Sequence, residues 1–238
     1  MTDDLSNVRA EEDFQTWRMF PKYRNLFNKM EIALQQGLKA GPAAVNPLYE
    51  GYYISRPIYN LYGMGIGAKK FWYSDDMYDR LLNNDIVPPG HFWSEWVDGD
   101  HLSIDFHRDP KTRIFYTRSV WQGKHYTSDN LTQFSSWTRL DSDIHPYDIK
   151  LKLPWNDEKV TAINLEIKGK YIIEAHLRLG NDPWDDLDIG TVVTPVWDDA
   201  EIDASKEFRG NLHEDMESYG ASGHISNVRK GYYIQRPN

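Results

Sequence analysis

The sequence predicts an α+β protein in which mainly antiparallel sheets are flanked by helices. Three features of the 238 residues support this prediction. An amphipathic helical region lies near the amino terminus, and a series of short strands separated by turns follows it. Between residues 163 and 179, apolar and polar residues alternate very regularly, which predicts an antiparallel pair of strands. A chain of this length can bury the core of one large domain or of two small ones.

The helical region follows a polar stretch, residues 1–12, which we expect to be loosely ordered. Over residues 14–38, apolar side chains recur at steps of three and four, the spacing of one helical face. Pro21 is expected to break the helix because proline has no backbone N–H to donate. The pair Gly41-Pro42 is expected to end the region.

The middle of the chain is predicted to form short strands. The first covers residues 52–57 and precedes a glycine-rich loop, after which residues 75–82 are predicted to be helical. Two strands flank an Asp-Gly-Asp turn at residues 98–100. Further strands are predicted over residues 114–120 and 191–197.

In the segment 163–179, odd-numbered positions are almost all apolar, whereas most even-numbered positions carry polar side chains. Each strand would therefore bury one face and present a polar row on the other. The two apolar rows share one core only if odd positions pair with odd positions. A three-residue turn at 169–171, or a bulge of equal effect, provides this register. Glu166 then lies directly across from Glu174.

Two facing carboxylates repel each other, so Glu166 and Glu174 require a cation between them. A hard divalent ion such as Mg²⁺ prefers oxygen ligands, and Arg178 on the same polar row suits a phosphate or carboxylate. This combination indicates chemistry on a nucleotide phosphate. A solvent-facing hairpin, neutralised by lysine or arginine, explains the same pattern. The hairpin alone leaves both interpretations open.

Composition and charge narrow the function classes. The net charge of −9 argues against a broad nucleic-acid surface but is compatible with a local basic pocket for one nucleotide. The chain has no cysteine, which excludes disulfides, thiolate catalysis and cysteine-based zinc sites. Residues 1–4 lack the features of a signal peptide, and no apolar segment approaches membrane-spanning length. We therefore expect a cytoplasmic protein without membrane or nucleic-acid partners.

Arg56 ends a predicted strand and is followed by the glycine-rich sequence 63–67. Glycine lets backbone N–H groups approach phosphate oxygens closely, and the Arg56 guanidinium would hold a phosphate directly. The spacing matches neither the Walker loop nor the dinucleotide fingerprint. An ordinary hairpin turn is the alternative interpretation of this motif.

A second motif covers residues 92–105, where Glu95 lies near the end of a strand, before a glycine turn and another strand. Backbone groups of residues 95–97 would pair with the edge of an adenine, and Asp100 or His101 would reach the ribose. An ordinary hairpin with an Asp-Gly turn is an equally good interpretation of this segment alone.

Together these segments, over residues 50–182, resemble the ATP-grasp superfamily of ATP-dependent carboxylate ligases, because the order and relative spacing of the motifs agree. The matching motifs are Arg56 with Gly63-Met64-Gly65-Ile66, Glu95-Trp96-Val97-Asp98-Gly99 with Asp105, Asn164-Leu165-Glu166, and Glu174-Ala175-His176-Leu177-Arg178.

The resemblance implies an ATP-grasp-like fold with a nucleotide cleft between two subdomains. Residues 1–48 would form an amino-terminal helical segment. Residues 49–100 would form the small subdomain with the glycine-rich loop. Residues 101–238 would form the larger subdomain, with the metal-binding hairpin and a carboxy-terminal extension.

The resemblance also implies a role for each matching residue, with ATP as the nucleotide and Mg²⁺, or alternatively Mn²⁺, as the metal. The nucleotide-binding residues would be Arg56, Gly63, Gly65, Glu95, Trp96, Val97 and His101. The metal ligands are Glu166, Glu174 and His176, and the catalytic residue that steadies the reacting carboxylate or acyl phosphate is Arg178.

The sequence departs from the family pattern at three of these positions. Arg56 stands in place of a lysine, which keeps the charge but changes the geometry. His101 stands where an acidic ribose-binding residue is usual. His176 replaces an asparagine, and imidazole suits Mn²⁺ or Zn²⁺ better than Mg²⁺. The α/β domain that usually precedes the core is also missing, so its substrate surface is absent, replaced by the aromatic-rich helices, or supplied by another chain, including a second copy.

The resemblance therefore implies an ATP-dependent ligase that activates a small-molecule or peptide carboxylate as an acyl phosphate. An amine or other nucleophile would then capture the acyl group. Two alternatives stay open from the sequence. One is a non-catalytic ATP-grasp-like protein for nucleotide binding or scaffolding. The other is an aromatic-rich β protein that binds carbohydrate or has a structural role, since nine tryptophans and fifteen tyrosines suit stacking on sugars.

Overall fold

The protein forms two antiparallel sheets with short helices at its amino-terminal end, as shown by a computed structural model. The described residues are 13–59, 67–77, 86–126, 131, 134–142, 144–180, 186–197, 200–210 and 229–237. This architecture confirms the predicted α+β class with mainly antiparallel sheets. Among the described residues, no helix is long and apolar enough to cross a membrane.

The predicted helical region consists of three short helices: α1 (Asp13–Met19), a 3₁₀ segment (Pro21–Phe27) and α2 (Lys29–Gln35). The predicted break at Pro21 is confirmed. A second break falls at Asn28, whose side chain accepts a hydrogen bond from the backbone N–H of Glu31 and so caps α2.

The predicted end of the helical region at Gly41-Pro42 is wrong. Helix α2 ends at Gln35, and Gly37 follows with a φ of 79°, a left-handed conformation that terminates helices. Gly41 and Pro42 instead belong to β1 (Ala40–Pro42). Gly41 lies against the Trp93 ring, where an added Cβ would come within 2.7 Å of the ring.

The smaller sheet has the strand order β1-β4-β2-β3. Strand β2 (Gly51–Pro57) confirms the predicted strand, and it pairs with both β3 (Lys69–Tyr73) and β4 (His91–Glu95). One face of this sheet buries an aromatic cluster that includes Tyr53, Phe71, Tyr73 and Trp93. Of the predicted helix over 75–82, residues 75–77 form a 3₁₀ turn and the remainder lies outside the described residues.

The larger sheet has the order β11-β12-β10-β7-β6-β5-β8-β9, and all its neighbours are antiparallel. Its strands are β5 (His101–Arg108), β6 (Phe115–His125), β7 (Phe134–Arg139), β8 (Ala162–Lys168), β9 (Tyr171–His176), β10 (Val192–Trp197), β11 (Glu207–Gly210) and β12 (Arg229–Gln235).

The turn at residues 98–100 connects the two sheets, because β4 belongs to the smaller sheet and β5 to the larger one. The hairpin interpretation of this segment is therefore wrong. The turn packs against the turn between β8 and β9, where the N–H of Gly169 donates to the carbonyl oxygen of Asp100 at 2.8 Å. The sheet-connecting turn and the β8–β9 hairpin are thus held together by a backbone hydrogen bond.

The main core joins the helical segment to the larger sheet. Its buried residues include Phe27 and Ile32 from the helices and Ile163, Leu165 and Leu177 from the region of β8 and β9.

Several tryptophans are core residues. Among the described residues, the buried tryptophans are Trp93, Trp121, Trp137 and Trp155. Core packing therefore accounts for these aromatic side chains without a sugar ligand.

Candidate active site

Glu166 and Glu174 face each other across β8 and β9, in the register that the sequence predicts. This register is produced by a bulge in β9 at Ile173 and not by a three-residue turn. Lys168 pairs with Tyr171, and the register shifts after Glu166. As a result Ile172, not Ile173, is buried in the main core. The odd-position pattern is therefore wrong between the turn and the bulge, because the bulge exchanges the two faces.

The structure brings Glu166, Glu174 and His176 together. Each offers one ligand atom, and these atoms all lie within 4.8 Å of one another. His176 lies across from Asn164, two pairs along the ladder and on the same face, so the same two strands carry the whole group. Three donors at this separation surround a space of the size of a metal ion.

Glu174 is bound by a residue of the helical segment. The ammonium group of Lys29, on α2, lies 2.5 Å from Oε1 of Glu174, and the Lys29 side chain is only 6% exposed. The other oxygen, Oε2, lies 3.7 Å from Nε2 of His176. The two oxygens of Glu174 therefore face different partners.

Asp13, in the first turn of α1, is buried between His176 and Arg178. Its carboxylate accepts hydrogen bonds from Nε and one terminal nitrogen of Arg178, both at 2.9 Å. It also lies 2.9 Å from Nδ1 of His176. The third Arg178 nitrogen donates to the carbonyl oxygen of Leu179. The guanidinium group is thus already occupied by a carboxylate of the chain itself.

His101 lies next to Glu166 and is buried among aromatic rings. Its Nε2 is 3.3 Å from Oε2 of Glu166 but is not aligned for a hydrogen bond. The rings of Phe134 and Trp137 pack edge-on against the imidazole. This position associates His101 with the carboxylate pair and not with an open ribose site.

Arg56 extends from β2 of the smaller sheet toward the edge of β9. It is buried, and it donates a hydrogen bond of 3.3 Å to the carbonyl oxygen of Ile173. Its guanidinium group lies over the Phe92 ring, and its Nε has no hydrogen-bond partner. Burial lowers the pKa of Arg56, an effect that Glu174 and Glu166 oppose. Arg56 therefore stands within the electrostatic reach of both carboxylates.

The connection after β4 is only partly available to a nucleotide base. The N–H of Glu95 donates to the carbonyl oxygen of Lys39, and that of Trp96 to Tyr52. The Glu95 carboxylate accepts from the backbone N–H of Lys39. Val97 is partly buried against the apolar cluster around Phe92. Of the three predicted adenine-binding residues, Glu95 and Trp96 thus use their backbone N–H groups within the protein, and Val97 takes part in neither of these hydrogen bonds.

The cavity beside Glu174 and His176 has a volume of about 10 Å³. A cavity of ~10–15 Å³ holds one water molecule. This cavity therefore has room for a single small ion or water, and a phosphate group or nucleotide enters only after the surrounding side chains move. Its lining residues are Asp13, Leu26, Phe27, Lys29, Glu174, Ala175 and His176.

The sequence matches no family model and no curated protein. Solved structures of similar fold include an L-amino acid ligase from Bacillus licheniformis, with 10% identity, a TM-score of 0.51, and coverage of 91% of this chain and 68% of that chain. An N5-carboxyaminoimidazole synthetase from Staphylococcus aureus, complexed with ADP, has 8% identity, a TM-score of 0.51, and coverage of 91% and 69%. The chain has the ATP-grasp fold.

The chain spans about two thirds of the length of these two structures. The helical segment reaches into the site, since it supplies Asp13 and Lys29. The predicted nucleotide-binding residues Gly63 and Gly65 lie outside the described residues.

Asp13 and Lys29 were missed by the sequence prediction, although Lys29 leaves a signal. Asp13 is buried with Thr16, another polar residue, so no apolar face marks it. Lys29 shares the buried face of α2 with Ile32 and Ala33, at helical spacing. A charged residue on the apolar face of a helix requires a buried partner of opposite charge.

A buried network of hydrogen bonds lies next to the candidate site. The Asp105 carboxylate accepts hydrogen bonds from the side chains of Asn164 and Ser119 and from the backbone N–H of Gly180. Asn164 also donates to Ser103. This network ties β5, β6 and β8 to the segment directly after Arg178 and fixes its position.

Electrostatics keep the site acids ionised. Burial acts to raise the pKa of Glu166, but His101, His176 and Lys29 outweigh it and hold the pKa well below the usual range. For Asp13, burial is likewise outweighed by His176 and Arg178, so the pKa is lowered. Deprotonated carboxylates are the form that binds cations.

The donor set fits a divalent cation. Glu166 and Glu174 supply oxygen donors, and His176 supplies a nitrogen within reach of both. Two buried polar atoms beside them, Nε2 of His101 and Nε of Arg56, have no hydrogen-bond partner. Such atoms are rare in folded proteins, and an ion, a ligand or an ordered water would satisfy them.

Proposed function

We propose that the protein is an ATP-dependent ligase that converts a carboxylate to an acyl phosphate and joins it to an amine or another nucleophile. The observation that carries the proposal is the convergence of Glu166, Glu174 and His176 on one point, on an ATP-grasp fold. ATP and a divalent cation, Mg²⁺ or Mn²⁺, are the proposed cofactors.

The positively charged side chains of the site would hold the triphosphate. Arg56 carries an unpartnered, buried Nε, which suits a phosphate oxygen. Lys29, already beside Glu174, adds a second positive charge. A bound divalent ion would neutralise negative charge on the transferred phosphate. Glu166, Glu174 and His176 would hold that ion, and no nucleophilic side chain is required.

Arg178 is assigned to the reacting carboxylate or acyl phosphate. Since Asp13 occupies its guanidinium group, a substrate carboxylate must displace Asp13 before Arg178 can bind it in the same two-pronged manner. Substrate binding at this position therefore moves the first turn of α1. The substrates would be small-molecule or peptide carboxylates and amines.

The occupation of Arg178 by Asp13 is also the one observation that favours a second candidate, a non-catalytic ATP-grasp protein that binds nucleotide. In that case Arg178 holds α1 permanently, and no substrate carboxylate reaches it. The two candidates share nucleotide binding and differ in turnover.

Two measurements test the proposal. The first is the melting temperature with ATP and either Mg²⁺ or Mn²⁺, which should rise with nucleotide concentration because the nucleotide binds the native state. The second is ADP release, screened against pools of amino acids and other carboxylates. Glu174→Gln should abolish both effects, whereas Glu207→Gln, in an exposed ion pair with Arg236, should change neither.

A nucleotide-dependent rise in melting temperature without ADP release for any carboxylate pool would favour the non-catalytic candidate. If neither ATP nor ADP stabilises the chain with either ion, both candidates are rejected.

A further inference from the structure

The contact between Asp13 and His176 fixes which nitrogen of the imidazole faces the two glutamates. Nδ1 lies 2.9 Å from Oδ2 of Asp13. A carboxylate accepts hydrogen bonds, so Nδ1 carries the proton that is shared with Asp13. Nε2 then points toward Glu174, 3.7 Å from its Oε2. A histidine that ligates a metal is held in the same way, with its other nitrogen bonded to a carboxylate.

The resulting donor set is one imidazole nitrogen and carboxylate oxygens of Glu166 and Glu174. Mg²⁺ is a hard ion that prefers oxygen ligands and loses its water reluctantly. Imidazole suits first-row transition ions, and Mn²⁺ among them also accepts carboxylates readily. A nitrogen donor held in a buried site therefore disfavours Mg²⁺ relative to Mn²⁺.

Lys29 determines which oxygen of Glu174 is left for an ion. Its ammonium group is bound to Oε1 and leaves Oε2 as the oxygen that faces His176. The donors at this position are therefore a mixed nitrogen and oxygen set.

A second, independent observation points to a ligand at this position. The His101 side chain is 7% exposed, and its Nε2 faces Glu166 without a hydrogen bond. A buried polar atom without a well-aligned hydrogen bond is unfavourable, and an ion bound to Glu166 or an ordered water would complete its surroundings. This argument does not involve His176.

We propose that Glu166, Glu174 and His176 select Mn²⁺ over Mg²⁺, and that Asp13 is the positioning residue that directs Nε2 of His176 to the ion. The inference rests on the divalent site of the proposed function and specifies its ion. It also gives α1 a role in metal binding, through a residue 163 positions away from His176 in sequence.

The test measures binding of Mn²⁺ alone to the full chain, without nucleotide. Electron paramagnetic resonance reports the free ion and hence the affinity, and competition with Mg²⁺ gives the preference. Pulsed experiments on the bound ion detect coupling to a ligand nitrogen. We expect tight Mn²⁺ binding, poor competition by Mg²⁺, and a nitrogen signal.

Three variants separate the roles. His176→Gln should lose the nitrogen signal and the preference for Mn²⁺, whereas His101→Gln should keep the nitrogen signal. Asp13→Asn should weaken Mn²⁺ binding ~10–100-fold, the usual effect of removing the partner of a metal-bound histidine. Asp157→Asn is the matched control, because Asp157 also contacts the helical segment, through Lys22, but lies outside the site. Circular dichroism and melting curves establish that each variant is folded.

The inference is overturned if bound Mn²⁺ shows no nitrogen coupling, if Mg²⁺ competes equally well, or if His176→Gln leaves both unchanged. Its failure is distinguishable from failure of the ligase proposal. ATP-dependent stabilisation with Mg²⁺, combined with no preference for Mn²⁺, rejects only the inference. Selective Mn²⁺ binding through His176, combined with no response to ATP, supports the metal site and rejects the ligase.

Discussion

The ammonium nitrogen of Lys29 lies 2.5 Å from Oε1 of Glu174, and the two side chains are only 6% and 12% exposed. The pair joins α2 to β9, two elements that are distant in the sequence. Removal of one partner of a buried ion pair leaves an uncompensated charge, whereas replacement of both by neutral groups is much less costly. Loss of either partner alone therefore destabilises the contact between the helical segment and the sheet.

We expect Lys29→Met to lower the free energy of unfolding by about 3–5 kcal/mol, because Glu174 then remains buried without its cation. The double variant Lys29→Met/Glu174→Gln should recover most of this loss. Denaturant unfolding of the parent, both single variants and the double variant provides the coupling energy. The exposed pair of Arg236 and Glu207 serves as the control, and Arg236→Met should change stability little. Additive effects at Lys29 and Glu174 would contradict the assignment.

Gln36 protects the open edge of β9. Its side-chain amide accepts from the N–H of Ile172 at 2.8 Å and donates to the carbonyl oxygen of the same residue at 2.7 Å. Gln36→Ala should cost about 1–3 kcal/mol, because it leaves buried backbone groups unpaired. Hydrogen exchange should show faster exchange at the Ile172 amide. Gln35→Ala, at a side chain whose amide donates to the Glu31 carboxylate, is the matched control. Equal exchange in both variants would refute the edge role.

Gly99 and Gly169 lie against each other where the sheet-connecting turn meets the hairpin. A Cβ on Gly99 would approach the Cα of Gly169 to 2.6 Å, and both residues have positive φ angles, of 121° and 58°. Gly169→Ala and Gly99→Ala should each cost more than about 1 kcal/mol, since the backbone conformation is strained and the contact is backbone to backbone. Gly90→Ala is an informative comparison, because it also has a positive φ but meets no atom within 4 Å. A cost at Gly90 equal to that at Gly99 would assign the whole effect to backbone strain.

Local patterns sufficed to predict the pairing of Glu166 with Glu174. Alternation of apolar and polar residues fixes which face a strand buries, and a two-residue period makes the register nearly unambiguous. The bulge at Ile173 could not be located, since a turn and a bulge satisfy the same pattern. The strand over residues 52–57 and the break at Pro21 were predictable for similar, local reasons.

The partners of the site acids could not be predicted in the same way. Lys29 and Glu174 are 145 positions apart, and Asp13 and His176 are 163 apart. No periodicity connects such pairs, because the contact depends on how α1 and α2 lie against the edge of β9. The turn at Asp98–Asp100 joins two different sheets and is not part of a hairpin. This could be recognised only from the strand order of the sheets, which the alternation of apolar and polar residues does not contain.

Asp157 gives the stability a pH dependence that does not involve the site. The Lys22 ammonium, the N–H of Lys159 and the Tyr23 hydroxyl all contact its carboxylate and lower its pKa to about 2. The pKa in the unfolded chain is about 3.9, so the stabilisation is complete above that value and is lost as the pH falls toward the folded value. The melting temperature of Asp157→Asn should therefore lie below that of the parent near neutral pH, and the difference should shrink below about pH 4. Thermal unfolding of both proteins across this range checks the expectation. A difference that stays constant on acidification would show that the carboxylate charge contributes nothing and that only the shape of the side chain matters.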